Sequence, residues 1–171
     1  MLEIKPIVLS GGTGSRLWPV SRDSYPKQFA RIIGEESLFA KTIKRVRPSN
    51  TIAFSAPTVI TNEDYRFLAK EQLDQLEVND YQIMLEPFPK NTAPAILIAA
   101  ISEYEKNEDA VLLILPSDHL IPDIEKFLEC LKVGLPYALA DKIVTFGIQP
   151  SHPETGYGYL NTSKTPSTDA F

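Results

Sequence analysis

The sequence predicts an α/β fold, a doubly wound and mostly parallel sheet with helices on both faces. Short apolar runs rich in β-branched residues alternate with amphipathic stretches of about 10 to 15 residues, which is the pattern of strand and crossover helix. The run 110–115 is continuously aliphatic, as expected of a parallel strand buried on both sides. With 171 residues, 43% of them hydrophobic, the chain is expected to form one domain, 1–171, with a sizeable core.

The first half of the chain alternates regularly between the two kinds of segment. A strand is predicted over 4–9, and Ser37 is placed to cap a helix that ends before Pro48. Two short β-branched runs, 51–55 and 57–61, follow. Asn62 is then placed to begin a second amphipathic helix.

The second half continues the alternation. A strand is predicted over 81–85, and Thr92 is expected to cap a helix with Pro94 in its first turn. From 93 to 101 that helix is apolar nearly all round, so we expect it to be buried. The strand 110–115 follows and ends at a polar turn, Ser117-Asp118-His119.

The last part of the chain is predicted to hold one more helix and two strands. The helix begins near Ile124 and is expected to kink or stop early, because Gly134 and Pro136 fall where it would continue. The strands are predicted over 143–148 and 156–160, with a loop over 162–171. The single cysteine, Cys130, lies in the apolar helical stretch and is expected in the core.

Composition limits the classes of partner. A formal net charge of -5 argues against general nucleic-acid binding, so the important cations are expected near a local phosphate site. We see neither an apolar run of about 18 residues nor a secretory signal, so a cytoplasmic protein without a membrane span is expected. One cysteine forms no internal disulfide, which agrees with a reducing compartment.

The most informative stretch follows the first strand and runs Ser10-Gly11-Gly12-Thr13-Gly14-Ser15-Arg16-Leu17-Trp18-Pro19, with Tyr25-Pro26-Lys27-Gln28-Phe29 after it. Its glycines leave successive N–H groups free to converge on an anion, which predicts a phosphate cradle. The P-loop motif of nucleoside triphosphatases is absent, because no Gly-Lys-Ser/Thr follows at the required spacing. The dinucleotide motif G-x-G-x-x-G fails as well, because Leu17 stands where its third glycine would be.

This stretch resembles the loop of the sugar-1-phosphate nucleotidylyltransferases, G-G-x-G-x-R-L-x-P followed by P-K. The resemblance implies a Rossmann-like nucleotidyltransferase fold, with Gly11, Gly12, Thr13, Gly14, Ser15 and Arg16 at the nucleotide. Arg16 and Lys27 would be catalytic and neutralise the charge of the leaving pyrophosphate. The alternative is a glycine-rich turn beside two surface cations.

Three further stretches resemble the branch of this family that makes GDP-mannose. They begin at Leu85-Glu86-Pro87, Leu115-Pro116-Ser117 and Phe146-Gly147-Ile148. The resemblance implies the transfer of GMP from GTP to mannose 1-phosphate, assisted by Mg²⁺. The alternatives are another sugar phosphate or nucleotide, or a nucleotide-binding module or regulatory subunit without turnover.

The resemblance also suggests roles at the nucleotide. Asp118 is the candidate catalytic metal ligand, because a carboxylate at a strand end can anchor a hard cation, although such a residue often only bonds its own turn. Glu86 is the candidate guanine-recognising residue, since its oxygens match the N1–H and N2–H donors, the alternative being a surface charge. Asn91 and Thr92 are open between helix capping and nucleotide contact.

For the sugar, the resemblance implies Gly147, Glu154, Tyr157 and Gly158, with the Gly158 main chain and Glu154 near the hydroxyl groups. A bulged strand would also explain these glycines. Neither histidine is needed as a base, because the attacking phosphate is already anionic. The resemblance further implies a second metal-binding aspartate and a Glu-Lys-Pro segment that this chain lacks. We therefore expect the first part of a longer domain, weakly active alone, whose uncovered apolar surface favours a homo-oligomer.

Overall fold

The computed structural model describes residues 3–12, 21–22, 24–48, 52–88 and 90–161. The chain forms two compact units, Met1–Pro122 and Asp123–Phe171, which are considered in turn. Among the described residues, no helix is both long and apolar enough to cross a membrane.

The first unit contains a five-stranded sheet organised around its first strand. Every ladder pairing between the described strands is parallel, which confirms the predicted sheet. β1 pairs with β5 along its length, and its other edge is shared by β2 near its start and β3 near its end, with β4 beyond β3. The strands are β1 Glu3–Leu9, β2 Ala53–Phe54, β3 Thr58–Asn62, β4 Gln82–Glu86 and β5 Val111–Pro116.

Three helices of the first unit connect the strands: α1 Leu38–Arg45, α2 Arg66–Gln75 and α3 Thr92–Tyr104. α1 begins as predicted, because the Ser37 side chain accepts a hydrogen bond from the Ala40 amide at 2.9 Å. Asn62 caps a short 3₁₀ turn, Glu63–Tyr65, that leads into α2. Both starts depend on a capping side chain only two or three residues from the amide that it bonds, which is why they could be predicted from the sequence.

The core lies on both faces of the sheet. Ile7 and Ile60 pack against Ala95 and Ala99 of α3 on one face. Neighbouring side chains of a strand point to opposite faces, so Val8 belongs to the other face, where it is fully buried. On that face the buried side chains come from α1, α2 and the segments beside these helices. They are Phe29, Phe39, Ile43, Tyr65 and Leu73. Helices therefore cover both faces, as the sequence predicted.

Two predictions about α3 are wrong. The helix is buried only along the face that carries Ala95 and Ala99, while Leu97 is 60% and Ile98 52% exposed. The small residues let α3 approach the sheet closely, so its larger side chains point outward. Asn91 and not Thr92 occupies the N-cap position, with a φ of 64° and no side-chain capping bond.

Among its described residues, the second unit contains one helix, α4 Ile124–Ala138, capped by Asp123, whose side chain accepts from the Lys126 amide at 3.0 Å. Of the predicted kink or early stop, the early stop is wrong: α4 continues through Gly134, and Pro136 falls in its last turn, where the helix loses one backbone hydrogen bond close to its end. Cys130 is exposed and not in the core.

The two strands predicted for the second unit are also wrong. Segments 143–148 and 156–160 are described but form no ladder, and the side chains of Ile143 and Ile148 are exposed. A β-branched run becomes a strand only where a neighbouring strand pairs with its backbone groups. The side-chain pattern alone does not supply that partner.

Candidate functional site

The sheet has a topological switch point between β1 and β5. The chain passes from β1 to β3 and β4 on one side of β1, then returns to place β5 on the other side. In open α/β sheets, ligands bind in the crevice outside the carboxyl ends of the strands at such a point. The segments that follow β1 and β5 are Ser10–Gly12 and Ser117–His119, so two of the predicted stretches meet at this edge.

The start of the glycine loop is fixed by backbone bonds to both neighbouring strands. The Ser10 amide donates to the Ile60 carbonyl at 2.8 Å, and the Ser117 amide donates to the Leu9 carbonyl at 3.0 Å. Gly11 and Gly12 therefore begin the loop directly above the crevice. The remaining predicted loop residues, Thr13, Gly14, Ser15 and Arg16, lie outside the described residues, and their roles stay predictions.

Lys27 and Asp118 form an ion pair in the crevice. Lys27 Nζ lies 2.7 Å from Asp118 Oδ2, and the two side chains are 33% and 35% exposed. Burial alone would raise the pKa of the Asp118 carboxyl, but the hydrogen bond and charge of Lys27 outweigh burial and lower it. The carboxylate is therefore ionised at neutral pH, and both charges remain accessible to a ligand.

A buried arginine holds the turn that carries Asp118. Arg45 Nη2, on α1, donates to the His119 carbonyl at 3.2 Å, and the Arg45 residue is only 3% exposed. Burial lowers the pKa of this guanidinium, which nevertheless stays protonated. The His119 side chain itself is exposed.

Glu86 reaches the glycine loop from the end of β4. A Cβ placed on Gly11 would lie 2.9 Å from Glu86 Oε2, so the absence of a side chain at Gly11 permits this approach. The Glu86 side chain is half-buried, and burial raises its pKa. The structure thus brings together Gly11 and Glu86, which the sequence assigned separately to nucleotide binding.

Asn91 and Thr92 lie between Glu86 and the body of α3. Both are exposed, and the Asn91 side chain is not engaged in capping. Capping therefore does not explain Asn91. Its contact with nucleotide, like that of Thr92, stays a prediction.

The residues predicted for the sugar all belong to the second unit, and their role stays a prediction. The Glu154 carboxylate accepts from the Gly156 amide at 3.0 Å, closing a local turn. The Tyr159 hydroxyl bonds the Glu154 main chain at both its N–H and its carbonyl. Tyr157, Gly158 and Gly147 are exposed.

The sequence analysis did not identify the polar residues that hold the glycine loop and the Asp118 turn in place. The Gln28 side chain donates to the carbonyls of Ser10 and Gly12, and the Thr61 hydroxyl also donates to Ser10. Arg45, which holds the Asp118 turn, was missed as well. The only indication in the sequence was that a polar residue, Gln28, stands between Lys27 and the aromatic residue Phe29.

The described residues fit a magnesium ion only in one mode. They contain no group of three or more metal-binding side chains, so no site is formed by protein ligands alone. Mg²⁺ is commonly bound by one or two carboxylates together with substrate phosphates and water. Asp118, ionised and partly exposed beside the glycine loop, fits that mode.

Comparison with curated sequences finds relatives that match most of this chain. The chain is 50% identical over 160 residues to the xanthan biosynthesis protein XanB of Xanthomonas campestris, covering 94% of this chain and 34% of that protein. It is 47% identical to a mannose-1-phosphate guanylyltransferase of Escherichia coli, covering 93% of this chain and 34% of that enzyme. The chain therefore spans about a third of the length of these curated relatives.

Comparison with solved structures supports the fold described above. A crystal structure described as mannose-6-phosphate isomerase from Helicobacter pylori superposes with a TM-score of 0.72 at 32% identity, covering 90% of this chain and 53% of that one. The sequence model of the nucleotidyl transferase family matches residues 5–171. The chain belongs to the nucleotidyl transferase family.

Proposed function

We propose that this chain forms the nucleotide-binding part of a mannose-1-phosphate guanylyltransferase, which transfers GMP from GTP to mannose 1-phosphate and releases pyrophosphate. The observation that carries the proposal is the Lys27–Asp118 ion pair beside the glycine loop at the switch point. The name of the E. coli relative supports the choice of GTP and mannose 1-phosphate.

The reaction needs positioning and charge neutralisation more than proton transfer. A phosphate oxygen of mannose 1-phosphate attacks the α-phosphorus of GTP, and the bond to the leaving pyrophosphate breaks on the opposite side. The attacking oxygen is already anionic, so no general base is required. The Gly11 backbone and the Lys27 ammonium, with Arg16 as a predicted partner, would hold the triphosphate and offset its charge.

Lys27 has two possible anionic partners in this reaction, Asp118 and the triphosphate. Because the pair is one-third exposed, we infer that Lys27 turns from the carboxylate to the phosphates when GTP binds. Asp118 is then left to hold a magnesium ion. Bound there, Mg²⁺ would neutralise phosphate oxygens as a Lewis acid.

Glu86 is placed to recognise the base. Its carboxylate offers two acceptors, which match the adjacent N1–H and N2–H donors of guanine, whereas adenine has no such pair. Partial burial removes some of the water around the Glu86 carboxylate and raises its pKa. Two donors from guanine would replace the lost water bonds, which favours GTP over other nucleotides.

A chimera tests the reaction as a whole. We would replace the matching 161-residue region of the E. coli enzyme by this chain and assay GDP-mannose formation from GTP and mannose 1-phosphate. We expect GDP-mannose and pyrophosphate in equal amounts. A chimera that folds and binds GTP, yet converts only a different sugar 1-phosphate, would contradict the proposed substrate.

A further inference from the structure

We propose that Gln28 is a positioning residue for the glycine loop, and this inference rests on the proposed nucleotide-binding function of that loop. Gln28 Nε2 donates to the Ser10 carbonyl at 3.2 Å and to the Gly12 carbonyl at 2.8 Å. One side-chain amide therefore uses both of its hydrogens on carbonyls that flank Gly11. We call this arrangement the Gln28 clamp.

The clamp sets the direction in which the Gly11 amide points. In a trans peptide the carbonyl of one residue and the N–H of the next point to opposite sides of the chain. The Ser10 carbonyl points toward Gln28, in the protein interior, so the Gly11 N–H points away from Gln28. An N–H held in this direction is preorganised for an anion and need not be reoriented when phosphate binds.

The clamp residue is itself rigidly held. Gln28 is 2% exposed, and its own carbonyl accepts from the Phe39 amide of α1 at 2.9 Å. The next residue, Phe29, is fully buried, with its ring centroid 5.1 Å from that of Phe39. The side chain of Gln28 therefore starts from a fixed point in the core.

The two ends of the clamp differ in how much they depend on Gln28. The Ser10 carbonyl also accepts from the Thr61 hydroxyl at 3.0 Å, so it keeps a donor when Gln28 is replaced. For the Gly12 carbonyl, Gln28 is the one donor among the described residues. Loss of the clamp should consequently loosen Gly12 more than Ser10.

The clamp also links the Lys27–Asp118 ion pair to the glycine loop. Lys27, the residue before Gln28, holds Asp118 at the end of β5, while Gln28 holds the loop after β1. Consecutive residues thus place the Lys27 side chain and the loop backbone next to each other. A ligand that needs both groups would be sensitive to a shift in either one.

The test compares Gln28→Met with Gln75→Met. Methionine keeps the length of the side chain but removes both donors. Gln75 is the control, because its Nε2 donates to Glu71 Oε1 at 3.1 Å on the exposed surface of α2, away from the loop. Two quantities are measured on the full chain: the GTP dissociation constant by calorimetry, and the ¹⁵N order parameters of Gly11 and Gly12 without nucleotide.

We expect Gln28→Met to weaken GTP binding on the order of tenfold and to lower the Gly12 order parameter from about 0.85 toward 0.6. Gln75→Met should change neither quantity. If both variants leave the order parameters and the GTP affinity unchanged, the clamp is overturned. If wild-type chain binds no GTP but Gln28→Met still lowers the order parameter, the proposed function fails while the clamp stands.

Gln28→Glu provides a second variant that does not depend on the folding of Gln28→Met. Burial beside two carbonyl oxygens favours the protonated carboxyl, which regains one donor, whereas the ionised form at higher pH repels both oxygens. We expect the GTP affinity of Gln28→Glu, relative to wild type at the same pH, to recover as the pH is lowered. A pH-independent ratio would contradict the clamp.

Discussion

Replacing Lys27 by methionine is expected to weaken Mg²⁺-GTP binding by about 10- to 100-fold, the equivalent of one lost charge-assisted hydrogen bond. The ammonium that offsets the phosphate charge is removed, whereas Asp118, freed from its partner at 2.7 Å, can still hold the metal. Calorimetric titration of GTP into both proteins measures the change.

Lys44→Met is the matched control for that variant. Lys44 also forms an ion pair with a carboxylate, Glu36, but on the exposed surface of α1. The control removes the same net charge and an ion pair, and we expect its GTP affinity to be close to that of wild type. Equal affinities for Lys27→Met and Lys44→Met would show that Lys27 does not contact the phosphates.

Asp118→Asn is expected to change GTP binding in opposite directions with and without magnesium. With Mg²⁺, the variant should lose about tenfold or more of the enhancement that the metal gives, because the amide lacks the charge that holds a hard cation. Without Mg²⁺, GTP should bind as tightly as to wild type or more tightly. The repelling carboxylate is gone, and Lys27 no longer has to leave a partner.

Asp74→Asn serves as the control for Asp118→Asn. Asp74 pairs with Lys70 at 2.6 Å on the surface of α2, so the substitution breaks a comparable ion pair outside the crevice. Its magnesium enhancement should equal that of wild type. The same enhancement in Asp118→Asn would mean that Asp118 does not hold the metal.

The sequence predicted those parts of the fold that depend on local signals and on apolar runs. The aliphatic run 110–115 forms β5, which pairs with the central strand β1, but β5 lies at an edge among the described strands and is only partly buried. The Ser37 cap and the start of α1 were predicted because capping involves residues only three positions apart. The burial of α3 was mispredicted, because an apolar residue such as Leu97 does not indicate whether a neighbouring segment will cover it.

At the site, residue identity could be predicted but mutual geometry could not. Lys27 and Asp118 were assigned separately, to pyrophosphate and to metal, and their ion pair appears only when β1 and β5 become neighbours. The approach of Glu86 to Gly11 likewise depends on the order of strands in the sheet. Gln28 was missed because a buried glutamine has no characteristic sequence pattern, and its role follows from the two carbonyls that it meets.

The most direct measurement is a calorimetric comparison of GTP, ATP, UTP, dTTP and ITP, with Mg²⁺ present, for wild type and Glu86→Gln. For wild type we expect GTP to bind most tightly, with ITP about tenfold weaker because it lacks the N2 amine. Glu86→Gln should bring the GTP to ITP ratio toward one, because an amide replaces one acceptor by a donor. Wild-type chain that binds all five nucleotides equally, or none of them, would contradict a guanine-nucleotide site at this crevice. An unchanged GTP to ITP ratio in Glu86→Gln would show that Glu86 does not contact the base.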